Sequence, residues 1–170
     1  MFKRLPQLLL VLGILTLINT GIASLSGLVS VVSGPPSAKE IKEQDLEMAQ
    51  FIKILKEYDT SPEAMELLEK LQFITKAIND NYVLFTGVSL LISLAGLISV
   101  ILMFRKNIYG FHLYIIYSLL SSTSMYLIVS PADVPSAVIV VNLLISGLFI
   151  FLYSRNLTWL KSDNNTDELK

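Results

Sequence analysis

Residues 81–104, NYVLFTGVSLLISLAGLISVILMF, carry no Asp, Glu, Lys or Arg and no proline. Their reading decides the fold. A helix rises 1.5 Å per residue, so this window reaches about 36 Å, more than the ~30 Å hydrocarbon core of a bilayer. Working outward, residues 5–38, 107–132 and 134–154 are also free of Asp, Glu, Lys and Arg, and each exceeds the ~20 residues a crossing helix needs. By contrast, 16 of the 27 charged residues fall between Lys39 and Asp80. The chain therefore reads as an all-α protein, a four-transmembrane-helix bundle with a two-helix hairpin between spans one and two. Residues 1–34 are expected to form span one, 35–81 the extracytoplasmic hairpin, 82–160 spans two to four, and 161–170 a polar cytoplasmic tail.

The bilayer partitions the charges, so the net charge of -1 says little. No basic cluster is present to neutralise phosphates, which argues against nucleic-acid binding. Cysteine is absent, which excludes disulfides, thiol redox chemistry, cysteine zinc sites and S-palmitoylation.

Basic residues near span ends resist translocation and set orientation. Lys3 and Arg4 precede span one, Arg105 and Lys106 fill the turn between spans two and three, and Arg155 and Lys161 follow span four. The 129–136 turn holds only Asp133, and the insert holds 6 lysines against 10 acidic residues. Both termini are thus expected in the cytoplasm and residues 35–81 outside it. Lys3-Arg4, an apolar run and Gly21-Ile22-Ala23 also fit a signal peptide. The apolar residues continue through Leu25, Leu28, Val29, Val31 and Val32, past such a site, so a retained anchor is the preferred reading. Asn156-Leu157-Thr158 and Asn164-Asn165-Thr166 match the glycosylation sequon, but on this topology they face the cytoplasm and are chance matches.

In the insert, Pro35-Pro36 ends span one because proline cannot continue a helix. Ser37-Ala38-Lys39-Glu40 is a capping-box pattern. Beyond it, Ile41, Met48, Phe51, Ile52, Leu55 and Tyr58 share one helical stripe. Asp59-Thr60-Ser61-Pro62-Glu63 then breaks the run, with Ser61 suited to the N-cap and Pro62 to the first helical position. A second amphipathic helix follows, with Ala64, Leu67, Leu71, Ile74 and Ile78 at 3-4-3-4 spacing. It has only Asn79-Asp80-Asn81 between it and span two. Such a hairpin either packs on itself or offers a docking surface. Met48, Phe51, Leu55, Leu67, Leu71 and Ile74 are the candidate contacts for a membrane-protein partner or a second copy.

Within the spans, Ala23-xxx-Gly27, Ser26-xxx-Ser30 and Ser89-xxx-Ser93 allow close helix approach. The serines and threonines can also bond their own i-4 carbonyls. Asn19 and Asn142 are the strongest polar groups at depth, and each needs a partner, which makes interhelical pairing the expectation. His112 is the only histidine. With Tyr109, Tyr114, Tyr117, Tyr153 and Trp159 it reads as a cytoplasmic aromatic belt, an anchor rather than a catalyst. No span holds a carboxylate for proton coupling, and no phosphate loop, HExxH or GxSxG is present. No catalytic residue, cofactor or metal site is expected.

Two stretches carry a resemblance. Ile101-Leu102-Met103-Phe104-Arg105-Lys106 is followed by Tyr109-Gly110-Phe111-His112-Leu113-Tyr114. The last span closes as Leu148-Phe149-Ile150-Phe151-Leu152-Tyr153-Ser154-Arg155-Asn156-Leu157. This C-terminal half resembles small multi-pass inner-membrane proteins of Bacteroidota, a group without an assigned activity. The resemblance implies a bacterial inner-membrane setting and leaves the 35–81 insert unexplained. The topology is also similar to claudin-type proteins, but their loop cysteines are missing here. The expected role is a non-catalytic accessory or assembly subunit of an inner-membrane complex. The alternative is a small oligomeric transporter or channel for a neutral or lipophilic solute.

Overall fold

A computed structural model describes residues 6–58 and 61–161. The Lys3-Arg4 flank, Asp59-Thr60, the 162–170 tail and the second sequon lie outside the described residues. The described chain is helical and contains no strand: α1 (Gln7–Ser33), α2 (Ala38–Glu57), α3 (Pro62–Asp80), α4 (Tyr82–Phe104), α5 (Ile108–Thr123), α6 (Ser136–Ser154) and α7 (Leu157–Lys161). Three helices, α1, α4 and α6, are long and apolar enough to cross a membrane.

The fourth expected span differs. α5 has 16 residues and gives way to a 3₁₀ turn over Ser124–Leu127. Three successive hydroxyls tie back to the backbone where it ends. Ser122 donates to the Ser118 carbonyl and Thr123 to that of Leu119, both at 2.9 Å, while Ser124 reaches only three residues back, to Ser121 at 3.2 Å. Such back-bonding bends helices, and the three-residue reach matches the tighter 3₁₀ ladder.

α4 packs closely against α1 and against α5, with α6 joined mainly to α5. The face α1 buries runs Leu9, Leu12, Gly13, Thr16, Thr20 and Ser24, and Gly27 continues it against Leu90 of α4. Of the expected small-residue pairs, Gly27 and Ser93 sit at this interface, where Ser24 donates to Ser93 at 3.1 Å; Ala23 and Ser26 are exposed. The tightest approaches use glycine. A methyl group on Gly96 would meet Thr20 Cγ2 at 2.7 Å and the Tyr117 ring at 2.8 Å, so both neighbouring helices close on that point.

The main core sits at the Arg105–Lys106 end, where Leu9, Leu12, Val100, Met103, Phe111, Tyr114, Tyr153 and Leu160 cluster. α7 folds back to contribute Leu160, fully buried. At this end α4 closes with Lys106 N–H on the Met103 carbonyl (3.0 Å) and Asn107 N–H on that of Leu102 (2.9 Å), a Schellman turn. Lys106 occupies its left-handed position at φ 56°, with its ammonium 5.4 Å from the centre of the Trp159 ring.

The hairpin begins as its capping residues dictate. Ser37 N–H donates to Glu40 Oε2 at 2.6 Å and Glu40 N–H to Ser37 Oγ at 3.3 Å. The Ser37 backbone bond, aided by its hydroxyl, holds the Glu40 carboxyl below its usual pKa. Ser61 caps α3 by accepting from Ala64 N–H, with Pro62 in the first turn. A single residue, Asn81, separates α3 from α4.

Candidate functional site

Asn19, Asn142 and several hydroxyls of the apolar helices line one cavity of about 370 Å³ between α1, α5 and α6. α5 forms its back wall, with Tyr114, Tyr117, Ser118, Ser121 and Ser122 lining it. These lie three and four apart in sequence, so one helix face presents them all. α1 supplies Leu15, Thr16 and Asn19, and α6 supplies Asn142, Ile145, Ser146 and Phe149.

One end of the cavity is closed. Tyr153 is fully buried, its hydroxyl 2.9 Å from that of Thr16. Its ring lies 4.6 Å from that of Tyr114, tilted by 58°. Tyr114 and Tyr153 are therefore core groups, and Tyr117 lines the cavity, so the three face the bundle interior and not its outer surface. Each phenol finds neighbours inside the bundle, as a buried tyrosine needs. Tyr109 is 70% exposed, as a belt residue would be. His112 is exposed beside it, its Nδ1 bonded at 3.1 Å to the Ile108 carbonyl.

The other end leads toward the hairpin. A smaller space of about 40 Å³ shares Ser121, Ser122 and Asn142 with the cavity and continues past Ser124, Tyr126 and Val134. Ser122 and Ser146 lie 3.0 Å apart and tie α5 to α6 at the junction. Asn19 and Asn142 thus line one cavity, but no bond joins them. Asn19 has the Tyr117 hydroxyl within reach. The Asn142 side chain makes no hydrogen bond to any described residue. Sequence reasoning missed Tyr114, Tyr153 and Thr16 as the floor, although the spacing of Tyr114, Tyr117, Ser118, Ser121 and Ser122 carries the signal for the wall.

The hairpin is the second feature. α2 buries no residue and α3 buries only Ile74. Ile74 packs with Val129 and Val134 from the connection between α5 and α6, so it serves this chain's own packing and leaves the set of docking candidates. The other five remain on the surface or partly so: Phe51 is 50% exposed, Leu67 and Leu71 are 37% exposed, and Met48 and Leu55 are half-buried. Met48 and Phe51 line a groove of about 430 Å³ between α2 and α3, opposite Gln72, Thr75 and Asn79. Leu67 borders a shallow groove shared with Pro135, Ser136 and Ala137 at the start of α6.

Among the described residues no three His, Asp or Glu side chains come together as a metal site requires. No protein-family model matches the chain, and neither does any curated protein or solved structure.

Proposed function

We propose that the chain is a non-catalytic accessory or assembly subunit of an inner-membrane protein complex. It docks onto the extracytoplasmic part of a neighbouring membrane protein through Met48, Phe51, Leu55, Leu67 and Leu71. One observation carries the reading: much of the hairpin's apolar stripe stays uncovered, with α2 burying no residue and Phe51, Leu67 and Leu71 exposed. Helices of this length are marginal alone in water, and a two-helix unit has too little core to hold itself together. A partner laid along the stripe supplies what is missing.

In this reading α5 is the fourth span. Its 16 residues rise about 24 Å, and the four-residue 3₁₀ turn adds about 8 Å. The basic residues then place both termini in the cytoplasm. Because the chain has no cysteine, single-cysteine variants report topology directly. Glu63→Cys is expected to react with a membrane-impermeant maleimide on intact spheroplasts. Arg105→Cys should react only after lysis; its labelling before lysis would refute this arrangement.

Docking is tested by replacing residues 39–80 with a short flexible linker and purifying both forms in mild detergent. The intact chain is expected to bring down a membrane protein at near-stoichiometric yield, and the shortened chain to lose it. Recovery of the intact chain alone would sink the proposal.

The alternative, an oligomeric transporter or channel for a neutral or lipophilic solute, draws on the intramembrane cavity. The closed Tyr114–Tyr153 end disfavours a continuous pore through one copy.

A further inference from the structure

We propose that the cavity between α1, α5 and α6 is a binding site for an uncharged lipophile. Its compact head bears a carbonyl or hydroxyl group, and its apolar tail runs out into the bilayer. This goes beyond the docking role and does not depend on it.

The volume of about 370 Å³ lies within the ~300–1,000 Å³ typical of small-molecule sites. The lining selects against charge: it contains amides, hydroxyls and apolar groups, and no Asp, Glu, Lys or Arg. An ion drawn into such a site from the bilayer would have no counter-charge to offset its desolvation. A neutral head, in contrast, finds both donors and acceptors in the asparagine amides and serine hydroxyls.

Two of those groups lack a partner in the protein. Neither the Asn142 amide nor the Ser121 hydroxyl bonds any described residue, although nearby Ser122 and Ser146 satisfy each other. Both side chains are exposed at the cavity rather than buried in the protein, so each stands open to an entering head group, and in the four-span arrangement proposed above no bulk water competes for them. The two groups line the same cavity from adjacent helices, as two hydrogen bonds to one head would require.

The entrance sets the ligand's other half. α1 and α6 meet only sparsely, and the cavity's apolar margins on these helices, Leu15 (51% exposed) and Ile145 (52% exposed), face outward. The opening therefore lies along the lipid-facing side, between two apolar lips. A tail lying there replaces lipid with lipid at little cost, while the closed floor at Tyr153 stops the head from passing through.

The test uses the full chain in lipid nanodiscs with three photoactivatable probes: a prenylated benzoquinone, a diacylglycerol and a phosphatidylglycerol, each with a diazirine beside its head. At least one of the two neutral probes is expected to label peptides spanning Ser121–Ser122 or Asn142–Ser146 saturably, and which one does so identifies the head group. Phosphatidylglycerol should not. Asn142→Leu removes the amide. Ser121→Leu fills the space and breaks no hydrogen bond, which covers the case in which the first variant fails to fold. Each is expected to lower saturable labelling at least tenfold in monodisperse protein, whereas Leu144→Ala, on the exposed side of α6, leaves it unchanged. Three outcomes would overturn the proposal: no saturable labelling by either neutral probe, as a water-filled cavity would give; equal labelling by phosphatidylglycerol; or labelling indifferent to both Asn142→Leu and Ser121→Leu.

Discussion

Gly110→Leu is expected to leave no monodisperse protein in mild detergent, and Gly110→Ala to reduce it severalfold. Gly110 lies in the first turn of α5, pressed against the last turns of α4. A methyl group there would stand 2.6 Å from the Met103 nitrogen and 2.6 Å from the Ser99 carbonyl oxygen, with Leu102 Cβ at 2.9 Å. The first two are backbone atoms of a hydrogen-bonded helix and cannot swing aside. Relief requires α4 and α5 to separate, which opens the most extensive helix pair in the bundle and breaks the turn through Lys106 and Asn107. Overpacking by even a methylene typically costs about 1–3 kcal/mol, sometimes more, and the unyielding neighbours place Gly110 at the upper end. Gly147→Ala is the control, since nothing lies within 4 Å of its would-be Cβ. Size-exclusion profiles and thermal aggregation midpoints give the comparison. A Gly110→Ala variant indistinguishable from the parent would show that the α4–α5 contact is looser than described.

Tyr153→Ala is the second large effect, at about 3–5 kcal/mol by analogy with other buried aromatic truncations. Tyr153 is the single buried residue of α6, so this one ring supplies much of what ties that helix to the core. Removing it leaves a hole beside Tyr114, and α6 has few other contacts with which to close it. Tyr153→Phe keeps the ring and loses only the bond to Thr16, for about 0.5–1.5 kcal/mol. Unfolding titrations in mixed micelles should rank parent, Phe and Ala in that order. Equal stability of the Ala variant would mean that α6 is held by something other than Tyr153.

Much of the helical layout was legible without coordinates, for local reasons. Ser37 with Glu40, and Ser61 with Pro62, mark helix starts because capping is settled within four residues. Charge-free windows mark the long apolar helices because such a run can be buried or cross a bilayer without stranding a charge. The end of α5 was not legible: hydropathy continues to residue 132, whereas the helix gives way to a 3₁₀ turn at Ser124, and hydropathy does not register that geometry. The tyrosines misled for another reason. Composition places them near Arg105 and Lys106, but direction decides their role, and Tyr114 and Tyr153 point at each other. The meeting of Asn19 and Asn142 in one cavity depends on how α1 and α6 rotate against α5, which no stretch of either helix encodes alone.

The apolar helices are unequal rulers. α1 has 27 residues and measures about 40 Å, while the 19 of α6 reach about 28 Å. A bilayer matched to α6 is too thin for α1, whose last turns, including Val29, Val31 and Val32, are largely exposed. Hydrophobic mismatch of this kind is absorbed by tilt, at a modest cost per ångström. Since α1 and α6 flank the same opening with little direct contact, the proposed membrane-spanning arrangement makes bilayer thickness a variable acting on that seam. In that arrangement a thin bilayer would favour a leaning α1 and a thick one an upright α1, and the gap would change width with the tilt.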